Sequence, residues 1–538
     1  MPSRGPKDHS AIAHRPVGFG QGRAGPDNGQ PVASQETVRR GARVLSRRRR
    51  AVTRDDDHGD ADHADNGRTL SMPPSPLDGL PPDFPDDPMP AIRAAVADSG
   101  RKLVALDDDP TGVQTVHDTA VLANPSVADL AAELCDPRPV CFVLTNSRAL
   151  PAAAAVALNR QIGADLVAAA RQTGVGLAVA SRGDSTLRGH YPAETDALAA
   201  ALGGVDGLLL APAFFEGGRS TVGDVHWVRD GERVIPAAET EFARDATFGY
   251  TRSNLREWVE EQTGGRIRAA EVASLSIADV RRGGPDLVAE RLTGVRGGQV
   301  VVVNAASYRD LEVVALGVLR AEAAGRRFLY RTAAGFVRVR AGLAARPLLG
   351  RTELVGADAP TSLPGLVVVG SHVARTGEQL TRLLALPGVV EIELRVGRVL
   401  DAATRDAEIR SVGAAAGAAL ARGETPVVST TRAVARVDDP DARLATGQAV
   451  SAALVATVRA VAERPGWIVA KGGITASDIG TEALGARRAI VLGQVSAGVP
   501  VWRLGPETRH PGLPYVVFPG NVGGPDALAE VVATLRGE

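Results

Sequence analysis

Short apolar runs that end in a polar cluster and lead into a helix-forming stretch recur along most of this 538-residue chain, and that alternation limits the fold more than any other feature. Val140 to Leu144 ends in Thr145-Asn146-Ser147-Arg148 and precedes the alanine-rich stretch Ala152 to Ala170. Gly176 to Ala180 runs into Ser181-Arg182-Gly183-Asp184-Ser185-Thr186-Leu187-Arg188-Gly189-His190, with a helix expected near Glu194 to Leu202. Gly207 to Leu210, Gln299 to Val303 and Phe328 to Tyr330 repeat the unit. Strands that alternate with helices pack as a parallel sheet, and ligands then bind outside the carboxyl ends of the strands. A second series begins at Leu366 to Val369 and continues through Val389 to Leu394, Pro426 to Thr430, Trp467 to Ala470, Ala489 to Leu492, Val499 to Arg503 and Tyr515 to Phe518. The expected fold class is α/β with two domains, each a mostly parallel sheet covered by helices. The boundaries read as a tail over 1–88, a first domain over 89–343, a linker or hinge over 344–364 and a second domain over 365–538.

The first strand, within Leu103-Val-Ala-Leu-Asp-Asp-Asp-Pro-Thr-Gly112, carries three adjacent carboxylates at its end. Three such groups repel one another, so a fold tends to keep them together only where a cation, an arginine or a substrate hydroxyl receives them. In the next polar end, Arg182 and Arg188 supply forked donors for a carboxylate or phosphate, and Asp184, Ser185 and Thr186 could hold a polyol. That composition suits a sugar acid. His117, His190 and His226 are isolated and read as structural. Between 215 and 275 the pattern loosens into a lid or a dimer arm, from which Arg219 and Asp224 could reach the substrate.

In the second series two strands end in glycine-rich turns, Lys471-Gly472-Gly473-Ile474-Thr475 and Pro519-Gly520-Asn521-Val522-Gly523-Gly524. Glycines let backbone N–H groups approach phosphate oxygens. Of 61 basic residues only Lys7, Lys102 and Lys471 are lysines, so a lysine kept beside Gly-Gly suggests a point contact with phosphate. Thr376-Gly377-Glu378-Gln379 has capping-box spacing ahead of Leu380, Leu383 and Leu384.

Composition narrows the partners to small molecules. The net charge of -1 gives no general attraction to nucleic acid, and no apolar run approaches the ~18 residues of a membrane helix. Cys135 and Cys141 read as reduced core residues of a cytoplasmic protein. Residues 1 to 88 mix Pro, Gly, Arg, Asp and His without periodicity and read as disordered, with Met72 a candidate start. The basic run Arg47 to Arg50 lacks the apolar segment of a secretory signal.

Asp108-Asp109-Pro110-Thr111-Gly112, Asp184-Ser185-Thr186-Leu187-Arg188-Gly189, Gly370-Ser371, Lys471-Gly472-Gly473-Ile474-Thr475 and Pro519-Gly520-Asn521-Val522-Gly523 together resemble the four-carbon acid sugar kinase family, formerly a domain of unknown function. The resemblance spans about residues 101 to 535, and the tail and the Phe215 to Arg252 insertion depart from it. It implies a sugar-acid-binding N-terminal domain, an ATP-binding C-terminal domain and an active site in the cleft between them. The implied reaction is ATP-dependent phosphorylation of the terminal hydroxyl of a threonate, erythronate or oxo-tetronate. On that reading Asp109 orients and deprotonates the attacking hydroxyl, with Asp108 or Asp184 next in line. Arg182 and Arg188 hold the substrate carboxylate, among substrate contacts from Asp108, Thr111, Gly112, Asp184, Ser185 and Thr186. Ser371, Gly472, Gly473, Thr475, Gly520, Asn521 and Gly523 cradle the nucleotide, and Lys471 neutralises phosphate charge. Mg2+ bridges the phosphates, with no protein ligands assigned; a homodimer is left open. Two rivals remain at this point. Asp107-x-Asp109-x-Thr111 also fits a haloacid-dehalogenase-like phosphatase with Asp107 as nucleophile, though no later Gly-Asp-x-x-x-Asp motif completes it, and the same cleft could serve a non-catalytic sugar-acid sensor.

Overall fold

The apolar runs become strands buried on both sides. The computed structural model describes residues 75–432 and 440–538, so most of the expected tail, including Arg47 to Arg50, lies outside the described residues. In chain order the strands are β1 (Arg101–Asp107), β2 (Thr119–Ala123), β3 (Val140–Leu144), β4 (Gly176–Arg182), β5 (Gly207–Ala211), β6 (Arg219–Val222), β7 (Val225–Asp230), β8 (Arg233–Pro236) and β9 (Ala273–Leu275). They continue with β10 (Gln299–Val303), β11 (Phe328–Thr332), β12 (Leu366–Val369), β13 (Val389–Leu394), β14 (Thr425–Thr430), β15 (Ile468–Lys471), β16 (Arg488–Ser496), β17 (Val499–Leu504) and β18 (Pro514–Phe518).

Fifteen strands form one sheet in the order β13, β14, β12, β15, β18, β17, β16, β2, β3, β1, β4, β11, β5, β10, β9. The expected two sheets are both present, and they are joined edge to edge. Thr119–Leu122 of β2 pairs antiparallel with Arg488–Val491 of β16, and β17 pairs antiparallel with β16 and β18; the other ladders of this sheet are parallel. Along β1, Leu103 and Ala105 enter the core on one face while Val104 and Leu106 enter the core on the other. A strand covered on both faces reads as a continuous apolar run, which is why β1 was legible. β2 was not, because its apolar run is short and ends at once in Asn124-Pro125.

Residues 215–275 form a three-stranded antiparallel sheet, β6 to β8, followed by the Leu255–Gln262 helix. Residues 81–87, read as the end of the tail, dock on the first domain: the Pro81 carbonyl and Asp83 receive Arg281, and Asp87 receives Arg309. Cys141 is buried as expected, but Cys135 is exposed at its helix end. Among the described residues no helix is long and apolar enough to cross a membrane.

Candidate active site

The parallel register sets up the acidic cluster. Asp107, the last residue of β1, lies opposite Arg182 of β4, and Arg182 Nη1 donates to Asp107 Oδ1 at 3.0 Å and lies 3.6 Å from Asp108 Oδ1. The chain then turns tightly at Gly112, where a Cβ would stand 2.1 Å from Asp107 Oδ1. Burial pushes the Asp107 carboxyl up to about 7, against the pull of Arg182.

Arg148, on the polar end of β3, is the hub of the cluster. Its Nη2 donates to Asp108 Oδ1 at 2.8 Å and lies 3.6 Å from Asp109 Oδ2, and its Nη1 lies 3.8 Å from Asp184 Oδ1. Asp109 Oδ1 accepts from the Thr111 N–H at 2.8 Å and the Thr111 hydroxyl at 2.5 Å. Burial alone would raise the Asp109 carboxyl; Arg148, Thr111 and Arg182 outweigh it and hold the group below the usual carboxylate value. Asp184 is likewise lowered, burial being outweighed by Arg148 and Arg188, and it accepts from Arg188 Nε at 2.7 Å and from the Thr186 hydroxyl. Arg148 was not singled out from the sequence. Three adjacent carboxylates call for an arginine, but which arginine answers depends on β3 pairing directly with β1.

The insertion fixes the loop at 184–190 from behind. His226 Nε2 bonds the Ser185 carbonyl at 2.8 Å, and the Tyr250 hydroxyl donates to the Thr186 carbonyl at 2.8 Å. The Phe242 ring meets two guanidiniums, 5.2 Å from Arg188 and 5.6 Å from Arg219. Among the described residues the buried Arg219 Nε has no hydrogen-bond partner. Asp224 faces away, locked to Asn304 and Ser274 at 2.7 and 2.5 Å. Arg331 at the end of β11 fills the space beneath the loop, where a Cβ on Gly183 would stand 2.3 Å from its guanidinium carbon.

In the second domain the glycine turns close on one another. Gly472, at φ +118, donates its N–H to the Phe518 carbonyl at 2.8 Å, so that donor is spent inside the sheet end. Gly370 leaves room for Thr475, whose Oγ1 would stand 2.2 Å from a Cβ there. Thr376 corrects the capping-box reading: the helix starts at Ala374, and the Thr376 hydroxyl bonds Ser371 Oγ at 3.0 Å and the Gly520 carbonyl at 3.1 Å. Gln379 donates to the carbonyls of Val522 and Gly524. Both residues hold the 520–524 turn in place.

Two expected ligand contacts are turned inward. Lys471 pairs in register with Phe518, so its ammonium lies 4.1 Å from that ring and donates to the Pro519 carbonyl at 2.6 Å. Burial pulls the ammonium down to about 7. In this structure it braces the Pro519–Gly520 turn and does not face the cleft. Arg182, expected on the substrate carboxylate, is buried against Asp107. Ser371, Gly473, Gly520 and Asn521 remain at least partly open to solvent.

The halves of the cleft meet. A Cβ on Gly473 would stand 3.1 Å from Asp109 Oδ2, and Asn146 Nδ2 donates to Ser477 Oγ. Thus a carboxylate at the end of β1 faces the first turn of the helix after β15, where leading N–H groups have no intrahelical acceptor. A larger cavity of about 670 Å³, lined by Tyr191, Arg266 and Val300 among others, opens at the amino ends of the first domain's strands and holds none of these groups.

Two outcomes follow from this packing. Gly112→Ala should destabilise the chain by roughly 1–3 kcal/mol through overpacking against Asp107, read by thermal unfolding. Arg182→Gln removes the countercharge of Asp107. The native Asp107 pKa, about 7, lies above its ordinary 3.8, so the stability of its neutral form is complete below 3.8 and lost as pH rises through 7. The variant should therefore lose about 3–5 kcal/mol at pH 8 and distinctly less at pH 5, read by denaturant unfolding at both.

Comparison with known proteins agrees with this division of the chain. A family model described as a sugar-binding N-terminal domain matches residues 103–340, and one described as a nucleotide-binding C-terminal domain matches residues 366–528. Among solved structures, a Salmonella typhimurium LT2 protein provisionally named a tRNA synthase is 19% identical, with 80% of this chain and 98% of that one covered and a TM-score of 0.58. A Haemophilus influenzae protein of the DUF1537 family is also 19% identical, with 80% and 100% covered and a TM-score of 0.54. At this identity the two show the fold. No curated protein matches significantly.

Proposed function

The chain belongs to the four-carbon acid sugar kinase family, and from that premise we propose that it uses ATP to phosphorylate the terminal hydroxyl of a four-carbon sugar acid of the threonate, erythronate or oxo-tetronate type. The observation that carries this reading is the approach of Asp109 to Gly473. A candidate base of the sugar-binding domain stands against the turn of the nucleotide-binding domain where a transferred phosphoryl group would lie.

Phosphoryl transfer asks mainly for positioning and charge stabilisation. With Oδ1 committed to Thr111, Asp109 keeps Oδ2 for the attacking hydroxyl and takes its proton. Asp108 is tied in two-pronged fashion to Arg148 and Asp184 to Arg188, so both serve to fix the cluster. Arg188, partly exposed, and Arg219 receive the substrate carboxylate in place of Arg182. Ser371, the N–H groups of Gly473 and Thr475, and the Gly520 to Gly523 turn cradle the phosphates, with Lys471 and Gly472 shaping that cradle from beneath. Bound Mg2+ would supply charge neutralisation on the phosphates. Among the described residues no group of three or more His, Cys, Asp or Glu side chains could hold a metal ion. Closure around the ligands would flex 344–364 about the β2–β16 ladder.

Against the phosphatase reading, Asp107 is 1% exposed, capped by Gly112 and paired with Arg182, so a nucleophilic attack from it has no approach. The test is ADP release by the full chain with ATP and Mg2+ across a panel of four-carbon sugar acids and their oxo forms. Acid-dependent turnover supports the kinase. Phosphate release from phosphorylated acids without ATP would overturn it.

A further inference from the structure

A cavity of about 460 Å³ lies at the opposite end of β1 from the acidic cluster, between the Met89–Asp98 helix, the loop before β3 and the Ala341-Gly342 turn. Arg101, at the start of β1, is six residues from Asp107, so the two ends are about 20 Å apart at about 3.3 Å per residue. The lining includes Arg93, Arg101, Lys102 and Arg138 but a single carboxylate, Asp136. Lys102 is faced from outside the lining by Glu133 at 4.0 Å, so the positive charge open to an occupant is that of the arginines.

The one carboxylate is already committed. Asp136 Oδ2 receives Arg138 at 2.7 Å and lies 3.7 Å from Arg488, and its carbonyl takes the Lys102 ammonium at 3.0 Å. Among the described residues neither the Arg93 nor the Arg101 guanidinium makes a hydrogen bond or an ion pair. Both arginine stems are nevertheless seated. A Cβ on Gly176 would stand 2.9 Å from Arg101 Cγ, and one on Gly342 would stand 3.2 Å from Arg93 Cγ. Glycines thus make room for two long cationic side chains whose heads make no hydrogen bond or ion pair among the described residues; Arg93 feels only the charge of nearby Asp87.

We propose that this cavity is a second anion site, separate from the candidate active site, that takes a small phosphate-bearing anion between the guanidiniums of Arg93 and Arg101. Forked guanidinium donors match phosphate geometry; the buried Lys102 ammonium is held by Glu133 and the Asp136 carbonyl and closes the floor. Free phosphate and a small phosphate ester share this chemistry. The wall at Gly342 leads directly into 344–364.

The test is calorimetric titration of the full chain with inorganic phosphate and, separately, with 3-phosphoglycerate, both in saturating ADP to mask the nucleotide turn. The variants are Arg93→Ala/Arg101→Ala, the charge reversal Arg93→Glu on an exposed helix position, and Arg188→Ala in the active site. Binding of at least one probe should weaken by roughly tenfold or more in the first two variants and persist in Arg188→Ala, with melting temperatures near that of the parent. Weakening for both probes assigns free phosphate as sufficient; weakening for 3-phosphoglycerate alone assigns the ester. Absence of binding in the parent, or binding unchanged in both Arg93 variants, overturns the site. The result does not depend on whether the chain turns over ATP.

Discussion

Asp109→Asn should lower kcat by roughly 10²–10⁴-fold while leaving the melting temperature within a few degrees of the parent. The amide keeps the shape of the carboxyl, and its oxygen can still accept from Thr111. What it loses is the capacity to take a proton at Oδ2, the atom that faces Gly473. Substrate KM should change little, because the proposed carboxylate contacts are Arg188 and Arg219. Steady-state kinetics on the identified acid checks this, and an unchanged kcat would remove Asp109 as the base.

Arg148→Met carries the second large effect. The guanidinium stands between Asp108, Asp109 and Asp184, so its loss leaves three neighbouring carboxylates short of countercharge. Breaking such a buried arrangement costs about 3–5 kcal/mol, which urea unfolding would read. The pH dependence has a definite sign. Arg148 holds the Asp109 and Asp184 carboxyls below their ordinary values, so the parent keeps its base ionised into the acid range. In the variant both pKa values rise, and the acid limb of kcat/KM should move to higher pH. Activity lost equally at all pH values would mean that Arg148 acts by shape alone.

These two residues show what a sequence displays and what it hides. Asp109 stood out because a run of carboxylates at the end of an apolar strand conflicts with local preference, and such conflicts mark candidate sites. The strand series was legible for the same physical reason, since central parallel strands are apolar throughout. Arg148 was hidden because its importance comes from strand order: only the neighbouring of β3 and β1 brings it to Asp108. Lys471 was marked for a different reason. Its rarity marked a constraint, but a lysine on a strand can be kept for what it meets inside, here Phe518 and the Pro519 carbonyl. Thr376 and Gln379 had the spacing of a cap, yet the cap requires a helix start three residues later than the one observed, and their side chains serve the 520–524 turn. The edge pairing of β2 with β16 had no sequence signal, since it depends on two short runs more than 360 residues apart in the chain.

The central claim is direct transfer from the nucleotide turn at Gly473 to a hydroxyl held by Asp109. Its most direct test is the stereochemical outcome at phosphorus, using ATP made chiral at the γ-phosphoryl group and the acid identified by ADP release. One in-line displacement across the cleft predicts inversion. Retention would contradict it, because a phosphorylated enzyme intermediate would then lie on the path and Asp107 would have to be reconsidered as its bearer.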